Sequence, residues 1–257
     1  MATAVALLLG AIIGILLGLL GGGGSILAVP ALIYGVGLDI EQAIPISLIV
    51  VGASAAVGAL PKIGAHLVEW RLAVIFAAAG LPAAFAGSAI GRLVPQPVLL
   101  IGFASVMILA AVRMLRDTEG VGMACKRTDS GINWRRCVSR SIPAGLGVGL
   151  LTGLFGVGGG FLIIPALVLM LGVQMPVAVG TSLVIIVANS ASGLVAHLGA
   201  GGIDWALTGL FAGAAIIGSL IAGHVGTGMD TGRLQRWFAA LVFVVAAFVV
   251  VDTVFLM

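Results

Sequence analysis

Charge is what this sequence has least of: charged residues make up 8% of its 257 positions, against about 25% in a soluble domain. So few charges exclude a water-facing surface of ordinary extent, and with it a soluble enzyme or soluble binding module. Histidine is scarce (three) and so is cysteine (two). Cys125 and Cys137 lie in the basic central stretch with no histidine beside them, which excludes a four-ligand zinc site. They are expected to be unpaired cytoplasmic thiols, and no metal or other cofactor is expected. No P-loop pattern, HExxH or paired-Asp motif occurs, so neither a nucleotide-driven pump nor an intramembrane protease finds its residues. Ser25 stands beside glycines as a nucleophile could, but its counterpart in the second half is Gly160, and the chain is expected not to be an enzyme. The net charge of +3 calls for no nucleic-acid partner, since most of it falls in loops facing one side.

What is present is apolar: 61% hydrophobic residues and a mean hydropathy of +1.30. A bilayer-spanning helix needs about 20 mostly apolar residues, and such runs recur along the chain. They are apolar on all sides, without the alternation of a membrane barrel strand. The runs predict spans near 3–21, 43–60, 72–91, 97–115, 142–156, 177–195, 206–225 and 235–256. The first run has no basic residues ahead of it and leads into a glycine cluster that recurs later, so it reads as part of the fold rather than a signal peptide. Two shorter pieces, Ile26–Ile33 and Phe161–Leu171, cannot span. They read as broken or re-entrant helices, tolerated at membrane depth where protein or a wet cavity covers the backbone.

An offset of 135 superimposes the two halves without a gap from Gly14 to Gly91. Pro30-Ala31-Leu32 becomes Pro165-Ala166-Leu167, Gly37 becomes Gly172, Ser47-Leu48 becomes Ser182-Leu183, and Trp70 becomes Trp205. The chain is a duplication: an all-α polytopic membrane protein of about eight transmembrane helices in two four-helix repeats with Gly-rich broken segments. Its expected divisions are repeat 1–115, basic cytoplasmic linker 116–140 and repeat 141–257. The linker holds Arg116, Lys126, Arg127, Arg135, Arg136 and Arg140, which places it, Lys62, Arg71 and both termini inside by the positive-inside rule. Arg92, Arg233 and Arg236 are then outside. Four spans per half give two halves of one orientation; if the Gly-rich pieces cross, the halves are inverted, a common transporter plan.

Gly21 to Gly24 and, at the equivalent place, Gly156, Gly158, Gly159 and Gly160 interrupt helices that lipid would otherwise favour. Two readings stand. Gly22, Gly23, Gly24, Gly158, Gly159 and Gly160 bring backbone donors and a helix N-terminus to an anion, or they pack helices closely, as Gly10-xxx-Gly14-xxx-Gly18 does. Within the predicted spans the charged residues are Arg113, Arg236 and Asp252, all toward a span end, so mid-span charge is absent, which speaks against a cation path. The neutral candidates are Ser25, Ser47, Thr181, Ser182 and the mid-span amide Asn189. Thr181, Ser182 and Asn189 are about two turns apart and can share a face; any single hydroxyl can instead bond back to its own helix. Lys62, His66 and His197 are candidates for a cytoplasmic vestibule or for plain interfacial anchoring.

The string Gly18–Pro30, its copy Gly153–Pro165, Thr181-Ser182-Leu183 and Gly202-Ile203-Asp204-Trp205 resemble the TauE/SafE family of sulfite and organosulfonate exporters, over almost the whole chain outside the central loop. The resemblance implies a bacterial or archaeal inner-membrane protein proposed to export small sulfur anions such as sulfite or sulfoacetate. It carries onto Gly21–Gly24, Pro30, Gly156, Gly158–Gly160, Pro165, Thr181 and Ser182. The first half departs from it at Pro45-Ile46-Ser47-Leu48, where the threonine is missing. The expected function is therefore a secondary exporter of such anions, the alternative being an anion channel or a permease for sulfate or thiosulfate. Its partners are the anion and the lipid bilayer, and the packing glycines are compatible with a homodimer.

Overall fold

The computed structural model describes residues 2–91, 93–116, 134–155, 160–197, 204–227 and 230–255. Apart from short connections these residues are helical, with no strand among them. In order, the helices are α1 (Ala2–Leu20), α2 (Gly23–Pro30), α3 (Ile40–Gly64), α4 (Trp70–Gly91), α5 (Gln96–Arg116), α6 (Trp134–Phe155), α7 (Gly160–Pro165), α8 (Met175–His197), α9 (Trp205–Thr227) and α10 (Thr231–Phe255). Among the described residues five helices, α3, α4, α6, α8 and α9, contain a stretch long and apolar enough to cross a membrane. The eight expected spans are not reached by this measure. α1, α5 and α10 are helical where spans were expected, but the apolar stretch described in α1 is only Ala6–Leu20. Within the expected linker 116–140, Trp134–Arg140 forms the first turns of α6.

The segments that follow the two Gly-rich stretches fold alike. Pro30 and Pro165 each close a short helix and are each followed by a π-helical turn, Ala31–Val36 and Ala166–Met170. Proline offers no N–H and its ring presses on the carbonyl one turn back; the wider π turn absorbs that fault. Each segment ends on a left-handed glycine, Gly37 (φ 82°) and Gly172 (φ 72°). Their N–H groups donate to Ile33 O (3.0 Å) and Val168 O (3.1 Å), in the manner of a glycine C-cap.

Glycines also reveal helix direction. A Cβ at Gly10, Gly14 or Gly18 would strike Phe211, Ala215 and Ser219 in turn, so α1 and α9 pack in parallel. Gly149 and Gly153 meet Gly80 and Ala84, and Gly87 meets Leu150, so α4 and α6 are parallel too. Such small-residue seams let backbones approach where lipid provides no hydrophobic drive. α3 and α8, equivalent under the offset, cross antiparallel: Gly52 faces Ser190 while Gly193 faces Leu48. α3 runs parallel to α9, with Ser219 Oγ donating to Ser54 O (2.8 Å) and Lys62 beside Gly226. Gln235 Nε2 donates to Met114 O (2.6 Å), tying the start of α10 to the end of α5.

These directions gather the ends of α3, α5 and α9 and the starts of α4, α6, α8 and α10 at one end of the bundle. The Arg71 guanidinium lies 4.9 Å from the Trp134 ring centroid there, and every described Lys and Arg belongs to that end. The start of α1 and the end of α10 lie at the other. The short helices α2 and α7, each with its π turn, carry the chain back between the ends of the bundle, so the start of α1 and the end of α5 lie apart. Arg233 and Arg236, expected on the far side, join the basic end at the start of α10. Cys137 is disulfide-bonded, which corrects its reading as a free thiol; Cys125 lies outside the described residues.

Candidate functional site

Inside the bundle the two broken helices begin against each other. A Cβ at Gly22 would overlap the carbonyl of Gly160, so the starts of α2 and α7 touch backbone to backbone. Gly21, in the left-handed region (φ 67°), turns the chain out of α1, and a Cβ there would come within 2.6 Å of Ser182 Oγ and 3.0 Å of Ile164 Cδ1. A Cβ at Gly160 would come within 2.6 Å of Ser25 Oγ and 2.9 Å of Ile186 Cδ1. Gly21, Gly22, Ser25, Gly160 and Ser182 thus form one cluster drawn from both halves. Gly24 lies against α1, where a Cβ would be 2.5 Å from Ile13 O, so α2 folds back along α1. Gly23 faces only the Leu241 side-chain tip at 2.7 Å, which can swing aside.

The hydroxyls are engaged locally. Ser25 Oγ donates to Gly22 O (2.7 Å), Ser47 Oγ to Ile44 O (2.7 Å) and Ser182 Oγ to Val179 O (2.9 Å). Each keeps lone pairs and can redirect its single proton. Thr181 is turned elsewhere: its Oγ1 accepts the Glu69 N–H (3.0 Å) from the connection between α3 and α4. Asn189 is half-buried on α8, next to the Ser190 that packs on Gly52. The structure therefore brings Ser182 to the glycine crossing and takes Thr181 away from it, although the two are adjacent in sequence. Pro30 and Pro165 shape the π turns, and Ser47 sits in the early turns of α3. Gly158 and Gly159, named from the sequence, lie outside the described residues.

The vestibule of Lys62, His66 and His197 does not assemble, because Lys62 closes α3 at the basic end while His197 closes α8 at the opposite end. His66 is exposed, in the left-handed region (φ 55°). Lys62, placed by sequence at a span end, is instead fully buried (0% exposed). The only signal for this in the sequence was its position within a helix, after Pro61. Asp204, part of the Gly202–Trp205 string, caps α9: its Oδ1 accepts the N–H groups of Ala206 (3.0 Å) and Leu207 (3.1 Å). No group of three metal-ligating side chains occurs among the described residues. The outward groove between α1 and α9, lined by Leu7, Ile15, Leu210 and Ile217, is apolar and supplies no donor for an anion.

A helix broken inside a membrane, with its repeat-equivalent broken helix against it, is the arrangement in which many transporters hold substrate. The family model described as "Sulfite exporter TauE/SafE" matches residues 6–249. The chain belongs to the TauE/SafE family. TauE/SafE membership makes it a membrane transporter. Similar proteins include a "Probable membrane transporter protein" of Xylella fastidiosa (strain 9a5c), 37% identical over 94% of this chain and 92% of that protein. The "Probable membrane transporter protein YunE" of Bacillus subtilis (strain 168) is 28% identical over 90% of this chain and 89% of its own. No solved structure matches.

Proposed function

We propose that this TauE/SafE transporter is a secondary exporter of small anions, sulfite or an organosulfonate such as sulfoacetate. The observation that carries the reading is the crossing of α2 and α7 at Gly22 and Gly160, with the Ser25 and Ser182 hydroxyls beside it. Neutral hydroxyl and amide donors suit an oxyanion that must also be released. A negative-inside potential favours anion exit by about 2.3 kcal/mol per charge per 100 mV, so outward movement requires no nucleotide. Purified protein in liposomes is expected to give saturable, voltage-sensitive flux of at least one of sulfite, sulfoacetate and isethionate. Flux confined to sulfate or thiosulfate favours the permease alternative, linear unsaturable flux indicates a channel, and failure to move any of the five overturns the reading.

The same reading takes the halves as inverted, with α3 antiparallel to its counterpart α8 and the basic end in the cytoplasm. That placement puts every described Lys and Arg on the cytoplasmic side, as the positive-inside rule favours. The termini are then external. The Cys137 disulfide favours the reverse placement, because disulfides persist in oxidising compartments. Alkaline phosphatase fused after residue 257 is expected to be active, and fused within 117–133 inactive. The opposite pattern establishes the reverse orientation, and equal activity at both points refutes the opposed ends.

A further inference from the structure

Lys62 is the described cation that the fold encloses completely: it is 0% exposed, and its Nζ has no hydrogen-bond partner among the described residues. An enclosed ammonium without a partner costs several kcal/mol after relaxation, and buried charges are ordinarily paired. The neighbours make room for the charge without neutralising it. Lys62 Nζ lies 2.9 Å from where a Cβ on Gly226 would stand, and the Gly18 carbonyl is 3.7 Å from the same point. The Lys62 Cβ lies 3.2 Å from a Cβ position on Gly180. Glycines of three helices, α1, α8 and α9, therefore surround the end of α3. Gly18 is also one turn before Gly21, which touches Ser182 at the crossing, so Lys62 lies between the basic end of the bundle and the glycine crossing.

We infer that Lys62 is the counter-charge for the transported anion, holding a small oxyanion at the basic-end approach to the Gly22–Gly160 crossing. This rests on the anion-exporter reading and deepens it. The ammonium offers three donors on a flexible stem, suited to a sulfonate or sulfite oxygen set that is captured and passed on. The position equivalent to Lys62 is His197, at the far end of α8, so the two approaches to the crossing differ in their basic group. Capture is then stronger at the basic end than at the other.

The test compares wild type, Lys62→Met and Lys62→Arg in two measurements: thermal unfolding of the detergent-solubilised protein titrated with sulfite and with isethionate, and flux of the same anions in liposomes. Methionine keeps the length and removes the charge. Lys62→Met is expected to unfold at a higher temperature than wild type without anion, and to require at least about tenfold more anion for stabilisation or half-maximal flux. Lys62→Arg is expected to retain anion-dependent stabilisation. Wild-type anion dependence in Lys62→Met overturns the inference and leaves the exporter reading standing. A lower unfolding temperature of anion-free Lys62→Met makes the lysine a structural group and also overturns it. No anion response in wild type, in either measurement, overturns the exporter reading and this inference with it.

Discussion

Gly22→Ala is expected to deplete folded protein from the membrane, whereas its neighbour Gly23→Ala leaves it close to wild type. The added methyl at Gly22 would overlap the Gly160 carbonyl, a backbone atom that no side-chain rotation can move. The two short helices that would have to separate are each held by a proline-π turn and a glycine cap. Forcing atoms into a packed interior typically costs about 1–3 kcal/mol and occasionally more; here the strain falls on backbone from both halves, at the upper end of that range. At Gly23 the methyl meets only the tip of Leu241 at 2.7 Å, which a rotamer change relieves. Size-exclusion profiles and unfolding temperatures of fluorescently tagged variants read both effects. Equal yields and equal unfolding temperatures for Gly22→Ala and wild type would show that α2 and α7 do not touch there. If Gly23→Ala folds normally yet loses flux, the backbone at that position serves substrate rather than packing.

A comparable loss is expected when the parallel seams are widened. Gly14→Leu would drive a side chain into the backbone of Ala215, and Gly153→Leu into that of Ala84. Gly10 and Gly18 lie on the same α1 seam, and Gly149 on the same α6 seam, so there is no open side toward which the helices can shift. Each variant is expected to lower the unfolding temperature by several degrees or to prevent recovery of monodisperse protein. Gly213→Leu on the α9 surface, where a Cβ meets nothing within 4 Å, serves as the neutral control. Normal unfolding of Gly14→Leu together with a destabilised control would reverse the packing assignment. The two seams correspond under the 135-residue offset, with Gly149 the counterpart of Gly14 and Gly153 that of Gly18, so Gly14→Leu and Gly153→Leu should both destabilise.

Much of the framework was readable from residues alone. The 135-residue offset predicted paired breaks, and α2 with its π turn and α7 with its π turn appear at those places, each closed by the equivalent proline and glycine. The Gly10-Gly14-Gly18 spacing was recognised as a packing seam, although not its partner α9. The expected site was legible only in part. Ser25, Gly22, Gly160 and Ser182 converge, but Thr181, next to Ser182, bonds Glu69 across the α3–α4 connection. A helical periodicity places both residues on α8 without saying which helix faces each of them. Apolar length alone also does not say which way a short piece carries the chain: α2 and α7, each with its π turn, turn it back toward the other end of the bundle.

The sequence by itself determined the solvent this protein inhabits and the prolines and glycines at which its helices break. These follow from apolar content and the intrinsic cost of Gly and Pro in helices, both of them local to the chain. Only the tertiary structure decided that α3 and α8 oppose each other, that Gly22 and Gly160 meet, and that Lys62 is enclosed without a hydrogen-bond partner among the described residues. Each of these depends on which segments become neighbours. Residues as far apart as Gly18, Lys62 and Gly226 share one corner because helix packing selects contacts by shape and direction, which no single segment encodes.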